Sequence, residues 1–200
     1  MIYHDSVVDQ AQCDILAESS VMLADEVKAR WGEWMSTWPE NYMKFADGSD
    51  STKLYEAYNV FLCPAPGFAE LYDIVVSKFK ERQSNYKDYA IAGWVNVYND
   101  GGFLDWHFHG SDQNCHDGRW HGYLCVNGEP SKTLYKDIQT GELIKTIDNK
   151  NGYLTMSYAG IAHRTTPWTD KEKPRITIAF DISLRSQLSP QNLNRWIPIL

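Results

Sequence analysis

The chain has 200 residues, 43% hydrophobic and 14% aromatic, enough to bury a full core as one domain. Its net charge is −7 and its 19 Lys and Arg residues are scattered rather than clustered, which argues against binding duplex nucleic acid through its phosphates. No apolar run reaches bilayer length, "MIYHDSVVDQ" lacks a signal-peptide pattern, and four cysteines (13, 63, 115, 125) fit reduced thiols better than a disulfide framework, so a cytoplasmic protein without a membrane span is expected.

The first element in chain order is a helix. Asp9 and Gln12 form a capping-box pattern, and Cys13, Leu16, Leu23 and Val27 follow at helical spacing. Trp31, Trp34 and Trp38 continue a three-four rhythm up to Pro39 and read as core rather than as a cofactor box. The polar stretch "ADGSDSTKLYE" (46–56) reads as a surface loop. A second helix is predicted from about Pro66 to Arg82, with Phe68, Leu71, Val75 and Phe79 on one face.

From residue 90 the period changes to two. "AGWVNVYND", "FLDWHFH", "GYLCVNG", "GYLTMSYAG" and "RITIAFDI" are short runs bounded by Gly, Asn and Asp, the pattern of antiparallel strands and turns. In the last run Ile176, Ile178, Phe180 and Ile182 point one way and Arg175, Thr177, Ala179 and Asp181 the other. One apolar face and one face carrying Arg and Thr suit a barrel with a polar lumen and helices outside. The expected class is α+β: a double-stranded β-helix, a jelly-roll or cupin-like barrel buttressed by N-terminal helices. A single domain over 1–200 is expected, with helical support over about 9–85, the barrel over about 90–183 and a tail over 184–200.

"GGFLDWHFHG" (101–110) carries the chemistry. On a strand, residues two apart share a face with Cα atoms about 6.5–7 Å apart, so His107 and His109 converge on one ion given a slight bend. Asp105 shares that face but lies roughly 13 Å from His109 along an ideal strand, and Asp112 returns only through a turn beyond Gly110. The third ligand is expected from another strand, and His163 in "GIAHRTTP" stands at a strand end. Three protein ligands on one face of an octahedron leave positions open for cosubstrate and oxygen, as in non-heme Fe(II) oxygenases; zinc on three histidines satisfies the same set.

At these residues the sequence resembles the 2-oxoglutarate/Fe(II)-dependent oxygenases of prolyl-hydroxylase-like type. The resemblance covers 94–182 through "WVNVYNDGGFLDWHFH", "GYLCVN", "GYLTMSYAGIAHRTTPW" and "RITIAFDI". It implies His107 and His163 as metal ligands and Arg175 with Thr177 as the anchor of the far carboxylate of 2-oxoglutarate. Tyr98 and Tyr123 would hydrogen-bond that cosubstrate, with Fe(II) and O2 completing the chemistry. His109 stands where most members carry Asp or Glu, and the chain is most similar to a phage-like subgroup that reads H-x-H there. A planar guanidinium fork matches a carboxylate, so an inward Arg175 suits a dicarboxylic acid on physical grounds as well. Trp94 and Asn96 share a strand face with Tyr98 and would line the pocket, whereas Arg164 reads as a surface residue.

Three other readings remain at this point. One is a metal cupin of another kind, since Gly, five residues, then His-x-His fits its opening, although the cupin glutamate is missing. Another is a zinc module from Cys115, His116, His121 and Cys125, whose spacing matches no established pattern. The last is a non-catalytic jelly-roll binding protein. For the oxygenase, a small-molecule or peptide substrate is expected.

Overall fold

The computed structural model describes residues 1–35, 49–54, 58–109, 118–190 and 195–200. Helix α1 (Gln10–Met35) starts where the sequence places it. Asp9 caps it reciprocally: the Gln12 amide donates to Asp9 Oδ1 at 2.9 Å, and the Asp9 amide donates to Gln12 Oε1 at 3.0 Å. Cys13, Leu16, Leu23 and Val27 are all buried. Trp31 and Trp34 fall within the helix, while Trp38 lies outside the described residues.

Helix α2 (Phe68–Lys80) begins two residues later than its sequence pattern suggests, because Gly67 takes a left-handed φ of 86° at the N-cap. A Cβ there would also lie 2.8 Å from Leu16 Cδ2, so glycine lets α2 start hard against α1. Phe68, Leu71, Val75 and Phe79 are buried as the periodicity requires, each contributing about 1.5–3 kcal/mol of apolar burial.

The described residues form ten strands, all antiparallel where paired, in two sheets. The strands are β1 (Ile2–Ser6), β2 (Ser49–Ser51), β3 (Tyr89–Tyr98), β4 (Trp120–Asn127), β5 (Lys132–Lys136), β6 (Leu143–Asp148), β7 (Tyr153–Tyr158), β8 (Ala162–Thr165), β9 (Arg175–Leu184) and β10 (Ile197–Pro198). The large sheet runs β1-β7-β4-β9-β3-β10, with β2 also on the outer edge of β3; the small sheet runs β6-β5-β8. The class is the expected one, a mixed α+β double-stranded β-helix. Strand β9 divides its faces as the alternation dictates. Ile176, Ile178, Phe180 and Ile182 join the core under the helices, and Arg175, Thr177 and Ala179 line a cavity on the other face.

Two stretches depart from their sequence patterns. Part of the polar 46–56 segment is strand rather than loop. Ser51 donates to Asn96 Oδ1 at 2.6 Å, and the Val95 amide donates to Thr52 Oγ1 at 2.9 Å. Ser51 thus meets a side chain of β3 and Thr52 its backbone edge, contacts of polar groups that leave no hydrophobic signature. "FLDWHFH" is extended but not a regular strand, and His107 alone forms a β-bridge, to His163. The Thr165 amide donates to the Leu104 carbonyl while His107 exchanges both hydrogen bonds with His163. Three steps on one side thus oppose two on the other, and the bulge leaves Asp105 exposed.

Strands β1, β2, β5, β6, β8 and β10 were not singled out by the sequence runs. The residues read as a tail include Ile199, which is fully buried and donates its amide to the Tyr89 carbonyl. No helix among the described residues is long and apolar enough to cross a membrane. Cys13, Cys63 and Cys125 are free thiols. Replacing Asp9 by Ala removes half of the α1 capping box. We expect a loss of about 1 kcal/mol of stability, read as a lower urea midpoint at unchanged m-value.

Candidate metal centre

All seven residues selected from the sequence line one cavity between the two sheets: Tyr98, His107, His109, Tyr123, His163, Arg175 and Thr177. The strand register explains why. Along the lumen face of β9, Arg175 lies opposite Tyr98, Thr177 opposite Asn96 and Cys125, and Ala179 between Trp94 and Tyr123. Asp181 follows, opposite His121. The small side chain of Ala179 leaves room between the arginine end and the histidine end.

The His107–His163 bridge brings two imidazoles together, with ring centroids 4.3 Å apart. Their Nδ1 atoms lie 2.7 Å from the Asp105 carbonyl and 3.0 Å from the Ile161 carbonyl. A carbonyl only accepts, so both rings carry the proton on Nδ1 and present the Nε2 lone pair. Asp105 therefore acts through its backbone, while its carboxylate caps the Trp106 amide at 2.8 Å. Asp112 lies outside the described residues. His109 stands 5.3 Å from His107 and 5.4 Å from His163 between ring centroids. Each of these histidines offers one ligand atom within 4.8 Å of the other two. The Nε2 of His109 is buried with no hydrogen-bond partner among the described residues, an arrangement that costs free energy unless something occupies the lone pair. Three imidazoles with ligand atoms within 4.8 Å of one another, and an unpartnered Nε2 on His109, fit a divalent transition metal.

Two residues of the centre were not assigned to it from the sequence: Asp181, and His121, which was read only as a ligand of the alternative zinc module. His121 stacks on His109 with centroids 3.6 Å apart, and its Nδ1 lies 3.0 Å from Asp181 Oδ1. That same oxygen is 2.9 Å from His109 Nδ1. His109, His121 and Asp181 form a second group of potential ligands within 4.8 Å of one another. Both omitted residues carried a signal, since His121 shares the face of Tyr123 and Asp181 the face of Arg175 under period two. Lys53 comes from the segment read as loop. Its ammonium lies 3.5 Å from Asp181 Oδ2, 3.2 Å from His109 Nδ1 and 4.0 Å above the Trp94 ring.

At the other end Arg175 is buried, with its Nε unpartnered and its guanidinium 5.2 Å from the Tyr98 ring centre. No carboxylate among the described residues pairs with it. Burial pushes the Tyr98 phenol up to about 12, although Arg175 pulls the other way. Thr177 accepts from the Asn96 amide at 3.3 Å. Tyr123 spends its hydroxyl on Thr133 Oγ1 at 2.9 Å and Asn149 Oδ1 at 3.0 Å. Trp94 and Asn96 line the cavity as expected. Arg164 is exposed, with its guanidinium 5.0 Å from the Trp106 ring. Of the four zinc-module residues, Cys115 and His116 lie outside the described residues, and Cys125 joins neither ligand group.

No protein-family model and no curated protein matches the chain. Solved structures do match. A prolyl-4-hydroxylase from Pseudomonas putida aligns over 92% of both chains with a TM-score of 0.55 at 13% identity. HygX from Streptomyces hygroscopicus, solved with nickel and 2-oxoglutarate, aligns over 92% of this chain and 83% of its own, with a TM-score of 0.58 at 11% identity. The non-heme monooxygenase ThoJ in its nickel complex covers 91% of this chain and 72% of its own, with a TM-score of 0.58 at 10% identity. The chain has the fold of the 2-oxoglutarate/Fe(II) oxygenases.

Burial lowers the His107 pKa to about 4, against a smaller rise from the Asp105 carbonyl. Burial likewise holds His109, His121 and His163 below the ordinary imidazole value of 6.5. For Asp181 burial favours the neutral acid, but the His109 ring, the Lys53 ammonium and the His121 hydrogen bond outweigh it and keep the group ionised. In metal-free protein the unfolded chain therefore takes up histidine protons first. Stability is full above about pH 6.5 and falls as the pH drops from 6.5 towards 4, while the Asp181 contribution persists until below 3.8. The urea midpoint of metal-free protein should be lower at pH 5 than at pH 7, with a shallower pH dependence in His107→Gln; equal midpoints would contradict neutral, buried imidazoles.

Proposed function

We propose that this protein is a 2-oxoglutarate- and Fe(II)-dependent oxygenase, with His107, His109 and His163 holding the metal and Arg175 anchoring the cosubstrate. The observation that carries this reading is the buried Arg175, with no carboxylate partner among the described residues, in the same cavity as three clustered imidazoles. A buried cation without a counter-charge is unfavourable, and a dicarboxylate reaching from the arginine to the metal relieves it. Arg175 offers the far carboxylate a planar pair of N–H donors, and the Thr177 hydroxyl, two residues along the same face, donates to the same group. The Tyr98 phenol, kept protonated, is a further donor at that end. Tyr123 and Trp94 shape the wall through their rings.

When bound, the metal supplies oxygen activation, in which O2 and 2-oxoglutarate give succinate, CO2 and one oxygen atom inserted into a substrate C–H bond. The protein positions the two substrates and keeps the three imidazoles neutral and aimed. The acidic charge and scattered basic residues support a small molecule or a peptide side chain as substrate rather than a nucleic acid.

Adding 2-oxoglutarate to anaerobic Fe(II)-loaded protein should produce a visible charge-transfer band, and admitting O2 should release succinate. Absence of both rules out this function. Arg175→Ala should weaken 2-oxoglutarate binding by about 100-fold, the loss expected for a charge-assisted bidentate pair, with metal binding intact. Unchanged affinity means the anchor lies elsewhere.

A further inference from the structure

His109 differs from its two companions in what stands behind it. His107 and His163 give their Nδ1 protons to backbone carbonyls, but His109 Nδ1 faces a carboxylate oxygen at 2.9 Å. That carboxylate is specifically held. Its Oδ1 also receives His121 Nδ1 at 3.0 Å, and its Oδ2 faces the Lys53 ammonium at 3.5 Å.

The tautomer of His109 follows from these neighbours. Its Nδ1 cannot both donate to Asp181 and accept from Lys53, which is 3.2 Å away. Accepting from Lys53 would place the ring proton on Nε2, where it would be a buried donor without a partner and unable to bind a metal. Donating to Asp181 makes a hydrogen bond to an ionised acceptor and turns the Nε2 lone pair towards the centre.

We propose that Asp181 is the carboxylate of this metal centre, acting at one remove as the positioning residue that aims His109 Nε2 and strengthens it as a donor. This rests on the reading of His107, His109 and His163 as metal ligands. Three neutral imidazoles leave a divalent ion its full charge in a buried site. A carboxylate hydrogen-bonded to one imidazole makes that ring a more basic, partly anionic ligand, as carboxylate–histidine pairs do at other metal centres. His121 fixes the carboxylate by a hydrogen bond and Lys53 stands beside it as the cation, so the group takes no second ion.

The arrangement also makes positions 109 and 181 one unit. An aspartate at 109 would bring a second carboxylate against Asp181, and two carboxylates sharing a site cannot both be ionised cheaply. Histidine at 109 is therefore the ligand that an aspartate at 181 permits.

The test is anaerobic titration of the full-length protein with Fe(II) and Co(II) by calorimetry, with proton NMR of the Co(II) form. Wild type should bind one ion and show three hyperfine-shifted, exchangeable Nδ1–H resonances. Asp181→Ala should lower metal affinity by about 10–100-fold and lose one of the three resonances. Asp181→Asn keeps an acceptor for His109 and should retain the resonance and recover part of the affinity. His109→Asp should bind metal more weakly than wild type, and His109→Asp with Asp181→Asn should restore binding. Circular dichroism of the metal-free variants checks folding, and if Asp181→Ala does not fold, Asp181→Asn and the double variant decide. The proposal is overturned if Asp181→Ala keeps wild-type affinity and all three resonances, if the double variant binds no better than His109→Asp, or if wild type binds a second ion that Asp181→Ala abolishes. Wild type binding no metal at all would overturn the metal-centre reading instead.

Discussion

The candidate metal centre depends on the reciprocal backbone hydrogen bonds between His107 and His163. They join an irregular segment following β3 to β8 of the small sheet, across the lumen from β9. Because both partners of the bridge are histidines, the contact that ties this segment to β8 also fixes the spacing of two imidazoles. The neighbouring carbonyls of Asp105 and Ile161 then set their tautomers. One backbone contact thus decides position, orientation and protonation together, and the third histidine has only to lean in from two residues away.

Strand β9 supplies the other half of the architecture through its alternation. Its apolar face is part of the core that α1 and α2 cover, and its polar face lays out a row from Arg175 at one end to Asp181 at the other. Ala179, between the two ends, keeps space open in the cavity that both ends line. The same burial that stabilises the barrel lowers the histidine pKa values, so rigidity of the core and readiness of the ligands have one cause.

Much of this was legible in the residues alone. The capping box at Asp9, the apolar face of α2 and the strict alternation of 175–182 are local patterns, and each element is present, α2 with a start shifted by two residues at Gly67. Weak local patterns hid the rest. Strand β2 is three polar residues, Ser-Asp-Ser, paired to the edge of β3, and β10 has only two residues. The bulge between Leu104 and His107 depends on the strand it faces. His121 and Asp181 sat on the correct faces of recognisable strands, yet lie sixty positions apart in a chain where only the β4–β9 register makes them neighbours.

The sequence by itself determined the periodicities, and through them the division into an apolar outer face and a polar lumen, because side-chain direction in helices and strands follows from backbone geometry. It also determined which residue types were available to bind a metal and a carboxylate. The tertiary structure decided which of them meet. It turned Asp105 from a candidate ligand into a backbone acceptor, brought Lys53 out of an apparent loop and set Asp181 behind His109. Those outcomes depend on strand register and on a one-residue bulge, which are properties of pairing between distant segments and have no counterpart in any local stretch of sequence.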